Sequence, residues 1–511
     1  MNGTMLWILG TFAAYMLMML CIGAAYMKTG KSSEDYFLGG RSLGGWVVAL
    51  SAQASDMSGW LLMGLPGSVY ALGTGQCWIA VGLFLGTVAN WLIISGRLRR
   101  YTIVANNSLT LPAYFENRFH DKKRILLGSS SIIIVIFFLV YTASAFASGG
   151  KLFSSVFGCS YHLSLTISFL IILGYTFLGG FMAVCLTDFI QGMLMLVALI
   201  AVPIVAYSLM GGDMAGSLEQ TGVVAADFMN VMKNGDRNFT AVEIISQLAW
   251  GLGYCGMPHI LVRFMAVKNQ KELNKSKGIA IVWVIISLFM AVVIGVIGRA
   301  YLFPTVLGAD GGSTETVFIE MITQLFTKDM YLPIVAGLFL CGILAAIMST
   351  ADSQLLVTAS SMSEDIFKGI IKKNASEESV MKMSKITVVG VAVIAYLIAW
   401  DPNSSIMGLV SNAWAGLGAA FGPTVLMSLF WRRCNLPGAV AGIISGGLTV
   451  IVWDYIPLAG GQTLGAATGL YSLAVGFLIS IVLIVVVSLC TKAPDASIMA
   501  EFDRVVSDEE I

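Results

Sequence analysis

The chain has 511 residues, 57% of them hydrophobic and 11% charged, with a mean hydropathy of +0.85, whereas soluble domains carry about 25% charged residues. These values describe a membrane protein. Lys plus Arg and Asp plus Glu balance at 29 each, which excludes a basic nucleic-acid surface and a dominant acidic tail.

Apolar runs of about 20 residues are the length that crosses a bilayer core. Thirteen are present and are numbered here as spans 1 to 13: 5–27, 44–64, 69–94, 125–150, 162–182, 188–210, 241–262, 279–302, 331–360, 384–400, 405–430, 437–456 and 466–490. No soluble domain fits between them. Span 1 has no basic leader or small-residue cleavage site, so it reads as an uncleaved span with the N-terminus outside. Lys and Arg gather on the cytoplasmic side. With that orientation 24 of the 29 fall in inner loops or the tail, from Lys28, Lys31 and Arg41 through Arg97–Arg100 and Arg263–Lys277 to Arg504. Lys151, Lys233, Arg237, Arg299 and Lys328 are left outside. A multi-pass protein of the cell membrane with a cytoplasmic C-terminus follows.

Span 2 contains "SAQASDMSGW", residues 51–60, which puts Asp56 inside an apolar helix. A charge at mid-bilayer costs several kcal/mol, and such residues face a bundle interior or a water-filled cavity on a solute or ion path. Three serines, a glutamine and a glycine beside it weaken the helix where lipid forbids unsatisfied backbone. A helix broken inside a protein-lined cavity offers carbonyls to a cation and amides to a carboxylate. The competing reading is an Asp that caps a helix or pairs with a buried Arg such as Arg41.

Span 7 is interrupted in "QLAWGLGYCGMPHILVRFMA", residues 247–266. Gly251, Gly253, Gly256 and Pro258 do not sustain a regular helix, and Trp250 and Tyr254, at i and i+4, share a helix face. Read alone, the two aromatics are ordinary core residues. Beside the glycines they form a wall next to unwound backbone. Span 9 carries "LAAIMSTADSQLL", where Ser349 and Thr350 supply adjacent hydroxyls and Ala345, Ala346 and Ala351 admit a close neighbour. Hydroxyls and carbonyls are the hard oxygens that alkali cations take, although Ser and Thr in such helices also bond their own i−4 carbonyls. Asp352 follows within a turn, toward the expected inner exit. The tail, 496–511, is polar and reads as solvated and partly disordered.

Catalytic classes find no support. The eight Cys are scattered without a C-x-x-C pair, and His120, His162 and His259 are the only histidines. Neither a zinc site, a nucleophile elbow nor a phosphate loop can be assembled from them. A channel needs a continuous pore lined by rings of like residues, and no such pattern appears.

The stretches "LGGRSLGGWVVALSAQASDMSGWLLMGLPG", "GGFMAVCLTDFIQ", "WGLGYCGMPHILVRFMA", "AAIMSTADSQLLV" and "GLVSNAWAGLGAAFGP" closely resemble the sodium:solute symporter family, and within it the branch that carries proline. The resemblance runs from about residue 5 to residue 495. It implies an all-α membrane protein with a ten-helix core of two inverted five-helix repeats, approximately 44–210 and 241–430, of the sodium-coupled amino-acid transporter type. Span 1 precedes this core, and two extra spans, approximately 437–456 and 466–490, follow it. Residues 1–495 would form one transporter domain and 496–511 a cytoplasmic tail. The broken spans 2 and 7 are the first helices of the two repeats, which agrees with the reading of the residues themselves.

By resemblance, sodium is the coupling ion, held by the carbonyls of Ala54, Met57 and Ala346 and the hydroxyls of Ser349 and Thr350, with Asp56 nearby. L-Proline would lie against Ser58, Gly59, Trp60, Tyr141, Trp250, Tyr254 and Pro258. Exposed amides and hydroxyls suit its carboxylate, carbonyls its ammonium, and aromatic faces its ring. Gln53 stands where a smaller residue is expected, which bears on substrate choice. Another amino acid or pantothenate is the alternative solute. Asp188, at the inner end of the span 5–6 region, would help sodium leave or would hold the short turn there. Arg41 would be an inner gate residue or a positive-inside anchor. Transport would proceed by alternating access, with proline and sodium raising each other's affinity. No protein partner is implied.

Overall fold

The computed structural model describes residues 3–26, 33–177, 180–308, 313–457 and 460–507. Lys28 and Lys31, counted above as inner cations, lie outside the described residues. With no water in the hydrocarbon layer, backbone groups must be satisfied within each segment, and the chain answers with helices throughout. Ten helices among the described residues are long and apolar enough to cross a bilayer. They correspond to spans 1, 3, 4, 6 and 8–13. Of the others, span 5 is a helix of 16 residues, Tyr161–Thr176, and spans 2 and 7 are broken.

Span 2 consists of Gly45–Asp56 and Trp60–Leu72. It therefore runs past residue 64, where the sequence reading ended it. Pro66 does not stop it, because it sits in the first turn of Leu65–Leu72, where a missing N–H is not needed. The chain reverses instead at Gly73 (φ +87°), whose added Cβ would lie 2.6 Å from the Phe228 carbonyl oxygen. Span 7 consists of Ala241–Leu248, a 3-10 segment Ala249–Gly256, and Pro258–Ala266 with Pro258 in its first turn.

Other boundaries also move. Span 6 begins at Phe181, so Asp188 lies two turns inside a helix and not in a short inter-helix turn. Arg263, assigned above to an inner loop, is fully buried in the bundle. The tail is not disordered over its described part. Ala496–Ser507 is a helix because Ile498, Phe502 and Val505 recur at i, i+4 and i+7 and bury one face. It docks on the C-terminal end of span 3 through Phe502 and Tyr101, ring centroids 6.4 Å apart.

Spans 9 and 11 form the centre, each 83% buried over its most apolar window, against 22% for span 1. Span 9 packs on spans 1, 4 and 6, and span 11 packs on span 4, the 3-10 segment and spans 12 and 13. At the expected outer end Glu315 is a polar plug. It accepts from the Ile406 and Met407 amides at 3.2 and 3.1 Å and pairs with Lys151 at 2.6 Å. A cavity of about 890 Å³ opens beside it.

Candidate functional site

The interruption of span 2 is built from hydrogen bonds that turn inward. Met57 N–H reaches the Gln53 carbonyl at 2.9 Å and Ser58 N–H the Asp56 carbonyl at 3.0 Å. The Trp60 indole N–H also donates to the Asp56 carbonyl, at 3.0 Å. Met57 and Ser58 therefore break the helix while staying buried, and Gly59 opens the next half. Gly59 is required there, since a Cβ would lie 2.2 Å from Ser148 Oγ and 2.9 Å from Ser148 Cβ on span 4.

Span 9 meets the end of the first half-helix. Ser349 Oγ donates to the Ala54 carbonyl at 2.7 Å and lies 3.2 Å from the Ala346 carbonyl. Thr350 Oγ1 lies 3.4 Å from the same Ala54 carbonyl. Four of the five oxygens expected to hold sodium are thus gathered, two hydroxyls with two carbonyls. They are hard neutral ligands of the kind an alkali cation takes. Met57 stands at the C-terminal cap of the half-helix.

Asp56 faces span 7. Its Oδ2 accepts from the Tyr254 hydroxyl at 2.6 Å, and its Oδ1 has no donor among the described residues. Arg41 is not its partner. That guanidinium donates to the Met265 carbonyl at 2.5 Å and the Ser108 carbonyl at 3.0 Å. The Tyr141 hydroxyl is buried without a partner among the described residues, and its ring lies 6.0 Å from that of His259. Pro258 lines a small void of about 20 Å³ that also touches Val262 and Leu356, so the way inward from the site is tightly packed. Gln53 is buried, and its Oε1 too lacks a donor among the described residues.

Trp250 and Tyr254 do not share a face. The segment between them has 3-10 pitch, which brings i and i+3 together, and not i and i+4. Trp250 stacks on Tyr471 of span 13 at 5.2 Å, whereas Tyr254 packs edge-on against Trp414 of span 11 at 5.1 Å. Trp414 links the two by donating its indole N–H to the Trp250 carbonyl at 2.8 Å.

A second polar cluster lies toward the expected inner side. Arg263 pairs with Asp188 Oδ2 at 3.1 Å and donates to Ser353 Oγ at 2.6 Å and the His259 carbonyl at 2.7 Å. Ser51 Oγ donates to Asp188 Oδ2 at 2.7 Å. Asp352 is within electrostatic reach of both and is fully buried, not near an exit where charge is cheaper. Asp188 Oδ1, both Asp352 oxygens and Gln191 Oε1 have no donor among the described residues. Two carboxyl groups thus share one guanidinium in the bundle interior. Sequence reasoning missed Arg263 as its counter-charge. The available signal was a lone cation inside "HILVRFMA".

The sodium:solute symporter family model matches residues 36–446. The chain is 44% identical over 485 residues to the high-affinity proline transporter PutP of Bacillus subtilis, covering 95% of this chain and 98% of that one. It is 43% identical over 498 residues to a sodium/proline symporter of Staphylococcus aureus, covering 96% and 94%. It is 42% identical over 480 residues to the osmoregulated proline transporter OpuE of Bacillus subtilis, covering 94% of each. Its structure is similar to that of a Na+-coupled sialic acid symporter solved in a substrate-bound, outward-open state, with a TM-score of 0.78 at 20% identity over 96% of this chain and 99% of that one. That likeness carries the fold, an all-helical inverted-repeat core.

Proposed function

Because the chain belongs to the sodium:solute symporter family, a family of transporters and not enzymes, we propose that it carries L-proline inward with sodium by alternating access. Sodium is the coupling ion of the family. The observation that carries the ion site is the meeting of Ser349 and Thr350 with the Ala54 carbonyl across the span 2 break. Ala54, Met57 and Ala346 supply carbonyls and Ser349 and Thr350 hydroxyls to the ion. Asp56, bound to Tyr254, sets the local charge and holds the break without itself ligating sodium.

Proline lies on the other side of that break. The backbone at Ser58, Gly59 and Trp60 receives its carboxylate. Tyr141, Tyr254 and Pro258 surround its ring, and Trp250, backed by Tyr471, closes the site from the outer side. The proline relatives support this solute, as does a site of aromatic rings beside unwound backbone. Sodium leaves inward past Asp188, whose Oδ1 has no donor among the described residues and is open to a cation. The repeats are taken as 44–210 and 241–430 within a transporter domain of 1–495, followed by a cytoplasmic tail. The protein sits in the cell membrane with its N-terminus outside, a topology supported by the placement of the cations.

Initial-rate uptake of labelled proline into proteoliposomes tests this, comparing an inward sodium gradient with an equal potassium gradient. Accumulation that needs sodium and is lost in S349A/T350A is the expected result. Equal uptake under both gradients overturns the ion site. Absence of proline accumulation overturns the solute and turns attention to Gln53 and to another amino acid or pantothenate.

A further inference from the structure

The inner ends of spans 3 and 8 gather cations that transport does not use. Arg99 is engaged by the Val267 and Lys268 carbonyls at 3.0 and 2.9 Å. Arg97 reaches the Leu429 carbonyl at 3.2 Å and packs over the Phe430 ring at 4.5 Å. Arg100 is 8% exposed, and its buried Nε has no acceptor among the described residues. No carboxylate among the described residues pairs with Arg97, Arg100 or Lys277. Arg97, Arg99 and Lys277 all lie within electrostatic reach of Arg100. The two helices meet here, where a Cβ added at Gly96 would lie 3.8 Å from Gln270 Nε2. The local acid, Glu272, is turned away and accepts from the Gly45 amide at 2.6 Å.

Arg97, Arg100 and Lys277, held near one another without a counter-ion among the described residues and with Arg100 nearly sheathed, are costly unless an anion joins them. The surface beyond them selects which anion. On span 3, partly exposed Arg97 follows Leu92 and Ile93, each 54% exposed, by about one turn. On span 8, Lys277 is followed by exposed Val282, Ile285 and Phe289. A free anion would use the cations and leave both apolar stripes idle. A phosphate that carries acyl chains uses both. We propose that the inner ends of spans 3 and 8 form a binding site for the phosphodiester headgroup of an anionic phospholipid, its chains lying along Leu92–Ile93 and Val282–Phe289. The site does not depend on which solute is carried.

Native mass spectrometry of the full chain released from nanodiscs of phosphatidylcholine and phosphatidylglycerol in equal parts tests it. Wild type is expected to retain phosphatidylglycerol over phosphatidylcholine. R97Q and K277Q, at partly exposed positions that do not threaten folding, each lower that retention about fivefold, the scale of one cation beside an anionic headgroup. R100Q lowers it further. Equal retention of the two lipids by wild type, or unchanged retention in both R97Q and K277Q, overturns the site. Displacement of the lipid by millimolar inorganic phosphate also overturns it, in favour of a free-anion site.

Discussion

Gly59→Ala is the sharpest probe of the span 2 break. Its new methyl would stand 2.2 Å from Ser148 Oγ and 2.9 Å from Ser148 Cβ. The hydroxyl can turn away, although it gives up its 2.7 Å bond to the Ser144 carbonyl. The Cβ contact is fixed by the backbones, and reaching a normal carbon separation of about 3.5 Å needs spans 2 and 4 to part by roughly 0.6 Å. Over-packing of this kind costs about 1–3 kcal/mol. Since the residues displaced are the amides assigned to the solute, the half-saturation constant for proline is expected to rise about 5- to 150-fold at 25 °C if that cost falls on the bound state. Ser148→Gly removes both clashing atoms. Alone it costs about 0.5–1 kcal/mol of helix stability, yet in G59A/S148G it is expected to recover most of the loss, a coupling of about 1–3 kcal/mol. Initial-rate uptake and thermal unfolding of the four proteins in the cycle read this directly. Wild-type affinity in G59A, or failure of S148G to rescue it, would refute the close approach of spans 2 and 4 as the reason for glycine.

Three further outcomes follow from the charges. R263M leaves Asp188 and Asp352 buried with no counter-charge and lowers stability in detergent by about 3–5 kcal/mol; R263M/D188L is expected to regain part of it, and an unchanged melting temperature in R263M would contradict the pairing. E315Q removes the charge that holds Lys151 and leaves one acceptor oxygen where the Ile406 and Met407 amides use two, so thermal stability drops, whereas K151M, which leaves Glu315 bound to both amides, drops it less; the reverse order in a melting assay would place the main role on the lysine. At the tail, two hydrogen bonds from Arg432 hold the Asp503 carboxyl below its usual range. A depressed acid contributes fully above its unfolded pKa, about 3.9, and loses its contribution as pH falls through the lower folded value. Protection of the amides in 496–507, the exchange rate relative to the intrinsic rate at the same pH, is therefore expected to fall as pH drops below about 4 and in D503N at neutral pH; protection identical in D503N and wild type would show that the pair does not hold the helix.

Much of this site was legible because it obeys local rules. A carboxylate and hydroxyls in an apolar run, or glycines ahead of a proline, announce broken helices without any neighbour being known. Ser349 and Thr350 could be matched to Ala54 only through resemblance, since nothing in either segment names its partner 295 residues away. What escaped depends on pitch and on tertiary company. The i, i+4 rule placed Trp250 with Tyr254, but the glycines that flag the break also tighten the helix to 3-10 pitch and send the rings to different neighbours. Composition made the tail look solvated, yet Ile498, Phe502 and Val505 find an apolar seat on span 3 that only the assembled bundle offers. Arg263 was taken for a loop cation because a basic residue near a span end usually is one. Here Asp188, one helix away, draws it inside.

The Tyr254 hydroxyl holds Asp56 while Trp414 braces both the Tyr254 ring and the Trp250 carbonyl, so the two interrupted helices are strapped together. If either moves without the other, Asp56 keeps neither carboxylate oxygen paired, at a cost of about 1–3 kcal/mol or more for a charged group. Half-moved arrangements are thereby rarefied roughly tenfold or beyond. Slippage, in which ion or solute crosses alone, passes through just such arrangements. On the proposed mechanism, a single tyrosine hydroxyl keeps the gradient from draining through its own carrier.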